Sequence, residues 1–250
     1  QRGRPVVGTT YFYWYDIDSN AHIFDGDGSD AMTTHPADMT DLSYKRASWH
    51  QSQLLDVMDA YGLKKGVLAV GHSGGASAIV HAELQDPGRF SRVVLIDAII
   101  APPSFYPTAE RLAVMTRKRR HVLPSLEAAR ARFSAKAPMN RWHPEVLEAY
   151  LTHGFSRDEA GRLHLKCRGE NEAQVYACGG MVPLYERLHE VQTPALVITG
   201  EESYMLEHAR AQSRLLQQAD LVELPQTGHF IPQEQPDVCA ERISGWFNPA

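Results

Sequence analysis

The sequence predicts an α/β fold: a mostly parallel sheet flanked by helices and interrupted by one helical insertion. Three observations predict it. Short apolar runs alternate with segments of helical spacing, the pattern of a parallel sheet covered on both faces. A G-x-S-x-G motif, Gly71-His72-Ser73-Gly74-Gly75, lies between one such run and one such segment. The stretch 107–188 then breaks the alternation with residues rich in Ala, Arg, Glu and Leu.

The elements follow in order. Trp49 to Tyr61 carries Leu54, Leu55 and Met58 at helical spacing and reads as a helix. Gly66 to Val70 is short and wholly apolar, which predicts a buried strand. Gly75 to Leu84 is rich in small and helix-forming residues, and Asp86-Pro87-Gly88 stops it. Arg92 to Ile96 is a second strand. Within 107–188 the expected helices are Arg111 to Arg120, Ser125 to Ser134, Pro144 to His153 and Asn171 to Cys178. Ala195 to Thr199, closed by Gly200, and Leu221 to Leu224 return to strand, and Pro236 to Phe247 closes with a helix. The domain reading is a core of residues 1–106 and 189–250, with 107–188 as a helical lid, or cap, over the strand ends.

The bulk composition narrows the function. With 250 residues, 43% of them hydrophobic, the chain can bury a sizeable core. A formal net charge of -5 gives no reason to expect nucleic acid as a partner. No apolar run has the length of a bilayer span, so no stable membrane insertion is expected. Cys167, Cys178 and Cys239 are three, with no C-x-x-C spacing. That argues against a disulfide framework or a zinc site and for reduced thiols in a cytoplasmic protein. Asp25, Asp27 and Ser29 imitate the start of a calcium loop, but Asp30 stands at its glycine position and Pro36 at its glutamate position. The basic run Arg117-Lys118-Arg119-Arg120 reads as a solvated helix face, with an anionic substrate or a membrane surface as the sharper alternative. Tyr11 to Tyr15 reads as core strand, and Phe105, Tyr106 and Trp142 as candidates to line an acyl pocket.

The chemistry centres on Ser73. A serine on a sharp strand-to-helix turn is forced into strained backbone geometry, and flanking glycines allow the helix to approach the strand closely. Its hydroxyl is exposed at the carboxyl edge of the sheet, and the amide of Gly74 points to the same place, as an oxyanion donor would. Gln226-Thr227-Gly228-His229-Phe230 falls between the last predicted strand and helix, so His229 can reach Ser73 from a separate loop as its general base.

From Gly66 to Phe247 the chain resembles the α/β-hydrolase superfamily. The residues that carry the resemblance are Val70-Gly-His-Ser-Gly-Gly-Ala76, Val94-Leu-Ile-Asp97, Leu196-Val-Ile-Thr-Gly200 and Gly228-His229-Phe230. The resemblance implies an eight-stranded sheet with a lid between the sixth and seventh strands. It also implies a His-Gly loop after the third strand, supplying a second oxyanion amide. Pro5-Val6-Val7 reads as that strand, and Gly8-Thr9-Thr10 follows it with no His-Gly. The turn expected after the fourth strand is present only in shortened form, at Ile23 to Ser29.

The acid of the triad has two possible sites. The family usually places it just after the strand ending at Gly200, where this chain has Glu201-Glu202-Ser203-Tyr204, with Ser203 and Tyr204 in the usual slots. Some haloalkane dehalogenases and zearalenone-type lactone hydrolases place it instead at the end of the strand before the lid, and Asp97 stands there. Asp97 is preferred, with Glu201 or Glu202 as the alternative. The implied reaction is cleavage of a carboxylic ester of a small, moderately apolar molecule (EC 3.1.1 class), through Ser73, His229 and Asp97. It needs no metal and no organic cofactor. Lactone or carbon–carbon bond hydrolysis, or non-catalytic binding of a small molecule, are the alternatives. Oligomeric state stays open between monomer and homodimer.

Overall fold

The computed structural model describes residues 6–10, 48–177 and 183–248. They form β1 (Val6–Thr10), α1 (Ser48–Ala60), β2 (Val67–His72), α2 (Gly74–Gln85) and β3 (Phe90–Ile96). There follow α3 (Tyr106–Arg117), β4 (Val122–Leu123), α4 (Leu126–Ser134), α5 (Pro144–His153), β5 (Phe155–Arg157), β6 (Leu163–Leu165) and α6 (Gly169–Ala177). The chain ends through α7 (Leu184–Arg187), β7 (Ala195–Gly200), α8 (Leu206–Leu215), β8 (Ala219–Leu224), α9 (Ile231–Glu234) and α10 (Pro236–Phe247). Two compact units result: β1 with 48–104 and 183–248, and residues 105–177.

The first unit is built on a parallel sheet of order β1-β2-β3-β7-β8. Successive residues of β3 explain why its second half, Val93 to Ile96, is apolar throughout. Val93 and Leu95 face one cluster, with Ile79, Val80, Val197 and Met58. Val94 and Ile96 face the opposite one, with Ile198, Leu224 and Ile231. A strand buried on both sides must be apolar at every position, and each fully buried aliphatic side chain contributes about 2 kcal/mol. Leu184 and Leu188, placed in the insertion by the sequence reading, belong to the first of these clusters.

The predicted strands and helices of this unit form with small shifts, and three differences matter. The resemblance implies eight strands, whereas the sheet has five among the described residues. β1 runs on through Gly8, Thr9 and Thr10, paired to Val70, Gly71 and His72, so these residues are strand and not the loop after it. That loop, the shortened turn at Asp25, the aromatic run from Tyr11 and Cys178 lie outside the described residues. Helix α8 was not expected: its buried residues are Ala209 and Gln212, one small and one polar, so it carries no stripe of large apolar side chains.

The second unit was expected to be mostly helical. It also holds a three-stranded antiparallel sheet of order β4-β6-β5, with strands of two or three residues, too short for an alternating pattern to register. Trp142 is buried there edge-on against Tyr150, whose ring also meets Phe133 and Phe155. The basic run lies at the C-terminal end of α3, where cations match the helix dipole. Arg117 donates to Glu170 at 2.9 Å and Arg119 pairs with Glu172, so part of the run ties α3 to the start of α6. Among the described residues no helix is long and apolar enough to cross a membrane.

Candidate active site

The strand ends of a parallel sheet share one edge, and four of them supply the site. β2 ends at His72, and Ser73 follows in the left-handed region, with φ 58°. The turn is tight: a Cβ on Gly71 would come within 2.6 Å of the Ala76 backbone nitrogen, so only glycine allows α2 to approach so closely. Gly74 opens α2, and its N–H is among the first-turn amides that have no intrahelical acceptor. The Ser73 N–H donates to the Ile96 carbonyl on the neighbouring strand at 2.9 Å.

β3 ends at Ile96, and Asp97 follows with φ 44°. Its side chain is fully buried. The segment after it is held in place. Gln212 of α8 donates to the carbonyls of Ala98 and Ile100 at 3.0 and 2.7 Å, and Ser77 of α2 donates to that of Ile99 at 2.9 Å.

His229 comes from the loop after β8 and meets both residues. Its Nδ1–H donates to Asp97 Oδ2 at 2.5 Å. That leaves Nε2 as the acceptor, 3.1 Å from Ser73 Oγ. The loop is braced on two sides. Glu234 accepts the Gly228 N–H at 2.9 Å, and His72 Nε2 donates to the His229 carbonyl at 2.8 Å. His72 is buried, and burial foremost, with the neighbouring His229 second, pushes its pKa down to about 4. It therefore serves as a neutral donor. The half-exposed ring of Tyr204 lies 4.9 Å from His229, and Phe230 meets the same imidazole edge-on at 5.2 Å.

Ser73, Asp97 and His229 are thus brought together. Glu201 and Glu202 are exposed, and Asp97 occupies the position against His229 Nδ1. Sequence reasoning missed two members of the cluster. Thr199 donates to Asp97 Oδ1 at 2.6 Å, and Ser203 donates to Oδ2 at 2.5 Å. The signal available was positional: Ser203 stands in a slot where an acid is expected. Among the described residues no three His, Cys, Asp or Glu side chains gather in a way that would hold a metal ion.

Comparison with known proteins gives the family context. A model of the alpha/beta hydrolase family matches residues 19–242. The chain is 25% identical over 223 residues to the abhydrolase domain-containing protein AFT2-1 of Alternaria alternata, covering 74% of this chain and 84% of that protein. It is 26% identical over 202 residues to the uncharacterized hydrolase YugF of Bacillus subtilis strain 168, covering 78% and 69% respectively. In structure it is similar to a peroxisomal alpha-beta-hydrolase of Saccharomyces cerevisiae, with a TM-score of 0.66 and 17% identity over 77% of this chain. The match spans 56% of that yeast chain. It is also similar to an E-2-(acetamidomethylene)succinate hydrolase, with a TM-score of 0.64 and 19% identity over 80% of this chain and 73% of the other.

Proposed function

Since the chain belongs to the alpha/beta hydrolase family, we propose that it is a serine hydrolase that cleaves carboxylic esters of small, moderately apolar molecules. The observation that carries this reading is the relay from Ser73 Oγ to His229 Nε2, 3.1 Å, and from His229 Nδ1 to Asp97 Oδ2, 2.5 Å. In the proposed reaction Ser73 Oγ attacks the ester carbonyl carbon while His229 Nε2 takes the hydroxyl proton. The carbonyl oxygen becomes an oxyanion, and the Gly74 amide donates to it. Collapse of the tetrahedral intermediate breaks the bond to the alcohol, which leaves with the proton from His229. Water, deprotonated by the same nitrogen, then attacks the acyl-enzyme. The acid departs and Ser73 regains its proton.

Asp97 keeps His229 in the tautomer that presents a bare Nε2 and offsets the charge of the imidazolium. A lactone would undergo the same acyl transfer with its leaving group still tethered. Free thiols at Cys167 and Cys239 fit a cytoplasmic setting. The test is labelling with a fluorophosphonate probe, alongside hydrolysis of short p-nitrophenyl esters. The wild type should label and turn over, and Ser73→Ala should lose both while keeping its fold. Activity of Ser73→Ala within tenfold of wild type would remove Ser73 as the nucleophile.

A further inference from the structure

The carboxylate of Asp97 is fully buried, so its lone pairs must be supplied by neighbouring donors. The hydroxyl of Thr199 takes Oδ1 at 2.6 Å, while Ser203 Oγ and His229 Nδ1 share Oδ2, each at 2.5 Å. The proton of Ser203 is not free to point elsewhere. Its oxygen already accepts the Met205 N–H at 3.0 Å, and its own N–H donates to the Gly200 carbonyl at 3.0 Å, which fixes the turn. Ser203 is itself buried, so no bulk water stands ready to replace it.

We propose that Ser203, with Thr199 on the other oxygen, is a positioning residue that sets the angle and the charge of Asp97 toward His229. This rests on the serine-hydrolase reading above. An aspartate side chain has two torsions, and a single hydroxyl on Oδ1 leaves the carboxylate able to turn about its last bond. The second hydroxyl, on Oδ2, removes that freedom and keeps a lone pair aimed at Nδ1. It also draws off part of the negative charge that would otherwise act on the ring alone. Without Ser203 the carboxylate concentrates its charge on His229 and favours the imidazolium before substrate has reacted. The base is then less often neutral and less well aimed.

Among the described residues, besides Ser73 and Asp97, His72, held neutral with a pKa of about 4, Tyr204 and the apolar Phe230 lie against the His229 ring. Burial, and then the Asp97 charge, raise the Tyr204 phenol above the usual tyrosine range. Neither His72 nor Tyr204 changes charge between pH 5 and 9, so a shifted profile reports on the Asp97–His229 pair.

The experiment compares wild type, Ser203→Ala and Ser203→Thr on p-nitrophenyl acetate between pH 5 and 9, with fluorophosphonate labelling rates measured in parallel. Losing one hydrogen bond to a charged group should lower kcat about tenfold in Ser203→Ala, with KM within about twofold. The acidic limb of kcat/KM should move to higher pH, and labelling should slow in step. Ser203→Thr keeps the hydroxyl and should retain wild-type kcat within about threefold and the wild-type limb. A folded Ser203→Ala with unchanged kcat and limb overturns the proposal. So does a folded Ser203→Thr as impaired as Ser203→Ala, and this arm decides the matter if the alanine variant does not fold. A wild type that neither labels nor turns over removes the serine-hydrolase reading and this inference together. A labelled, active wild type beside an indifferent Ser203→Ala removes Ser203 alone.

Discussion

Replacing His72 with glutamine should flatten the acid sensitivity of the fold. His72 is 3% exposed, and its pKa in the folded protein is pushed from the ordinary 6.5 to about 4, chiefly by burial. A histidine whose folded pKa lies below its unfolded value binds its proton more readily once unfolded. Its neutral form therefore contributes stability in full above pH 6.5. That contribution is lost as pH falls from 6.5 toward 4 and stays constant below. At 1.36 kcal/mol per unit, the gap is worth roughly 3 kcal/mol in total, of which about 2 kcal/mol is gone by pH 5. Glutamine keeps an N–H that can donate to the His229 carbonyl, which His72 now holds at 2.8 Å, but it has no proton to gain. The assay is urea unfolding of both proteins at pH 7.5 and pH 5. Other groups titrate in both and cancel in the difference. The wild type should lose about 2 kcal/mol more than His72→Gln between those two pH values. Equal losses would mean that His72 is not held neutral, and would refute the reasoning.

Two further outcomes follow from the site and the elbow. Asp97→Asn should lower kcat roughly a thousandfold or more on p-nitrophenyl esters, because His229 loses the partner of its Nδ1–H, while Glu201→Gln and Glu202→Gln should keep most of their activity. The reverse pattern would move the acid to the loop after β7. Gly71→Ala places a methyl 2.6 to 2.7 Å from the backbone of Gly75 and Ala76, which cannot swing aside as a side chain can. It should cost about 3 kcal/mol in urea unfolding, and a loss well under 1 kcal/mol would show that the close approach of β2 and α2 gives way easily.

The strands were legible because burial on both faces leaves an unbroken apolar run, as at Val93 to Ile96 and Ala195 to Ile198. Ser73 and His229 were legible because their flanking residues are constrained: Gly71 by contact with α2, and the His229 loop by its place between β8 and α9. The carboxylate that meets His229 was harder to read. Glu201, Glu202 and Asp97 all follow strand ends, and which of them is buried depends on contacts far apart in sequence. Thr199 was invisible for a related reason, since a hydroxyl buried against a carboxylate from 102 residues away leaves no local pattern, and Ser203 was marked only by its place in a slot where an acid is expected. The short strands β4, β5 and β6 escaped because two or three residues cannot display a period.

The backbone geometry explains why Asp97 can stand where it does. Among the described residues only Ser73, Asp97 and Gln226 adopt a positive φ without being glycine, and each such conformation costs about 1–3 kcal/mol. A strained residue persists when its surroundings leave it no alternative, and Ser73 and Asp97 are held in the same way. The amide of Ser73 hangs from the last carbonyl of β3, at Ile96, and the amide of Asp97 hangs from Ile198 on β7, at 2.7 Å. Each strand thus anchors the first residue beyond the end of its neighbour. The Ile99 amide closes the circuit by donating back to the Ser73 carbonyl at 3.3 Å. Parallel register does the rest. His72 pairs with Ile96, and Ile96 with Ile198, so the residues just past these ends line up along one edge. An aspartate at position 97 then lies one strand from Ser73 and one strand from Thr199, whose hydroxyl donates to its Oδ1 at 2.6 Å. Glutamates two or three residues further along the β7 exit have already turned out to solvent, so in this chain the register, and not the length of the acid's side chain, selects the partner of His229.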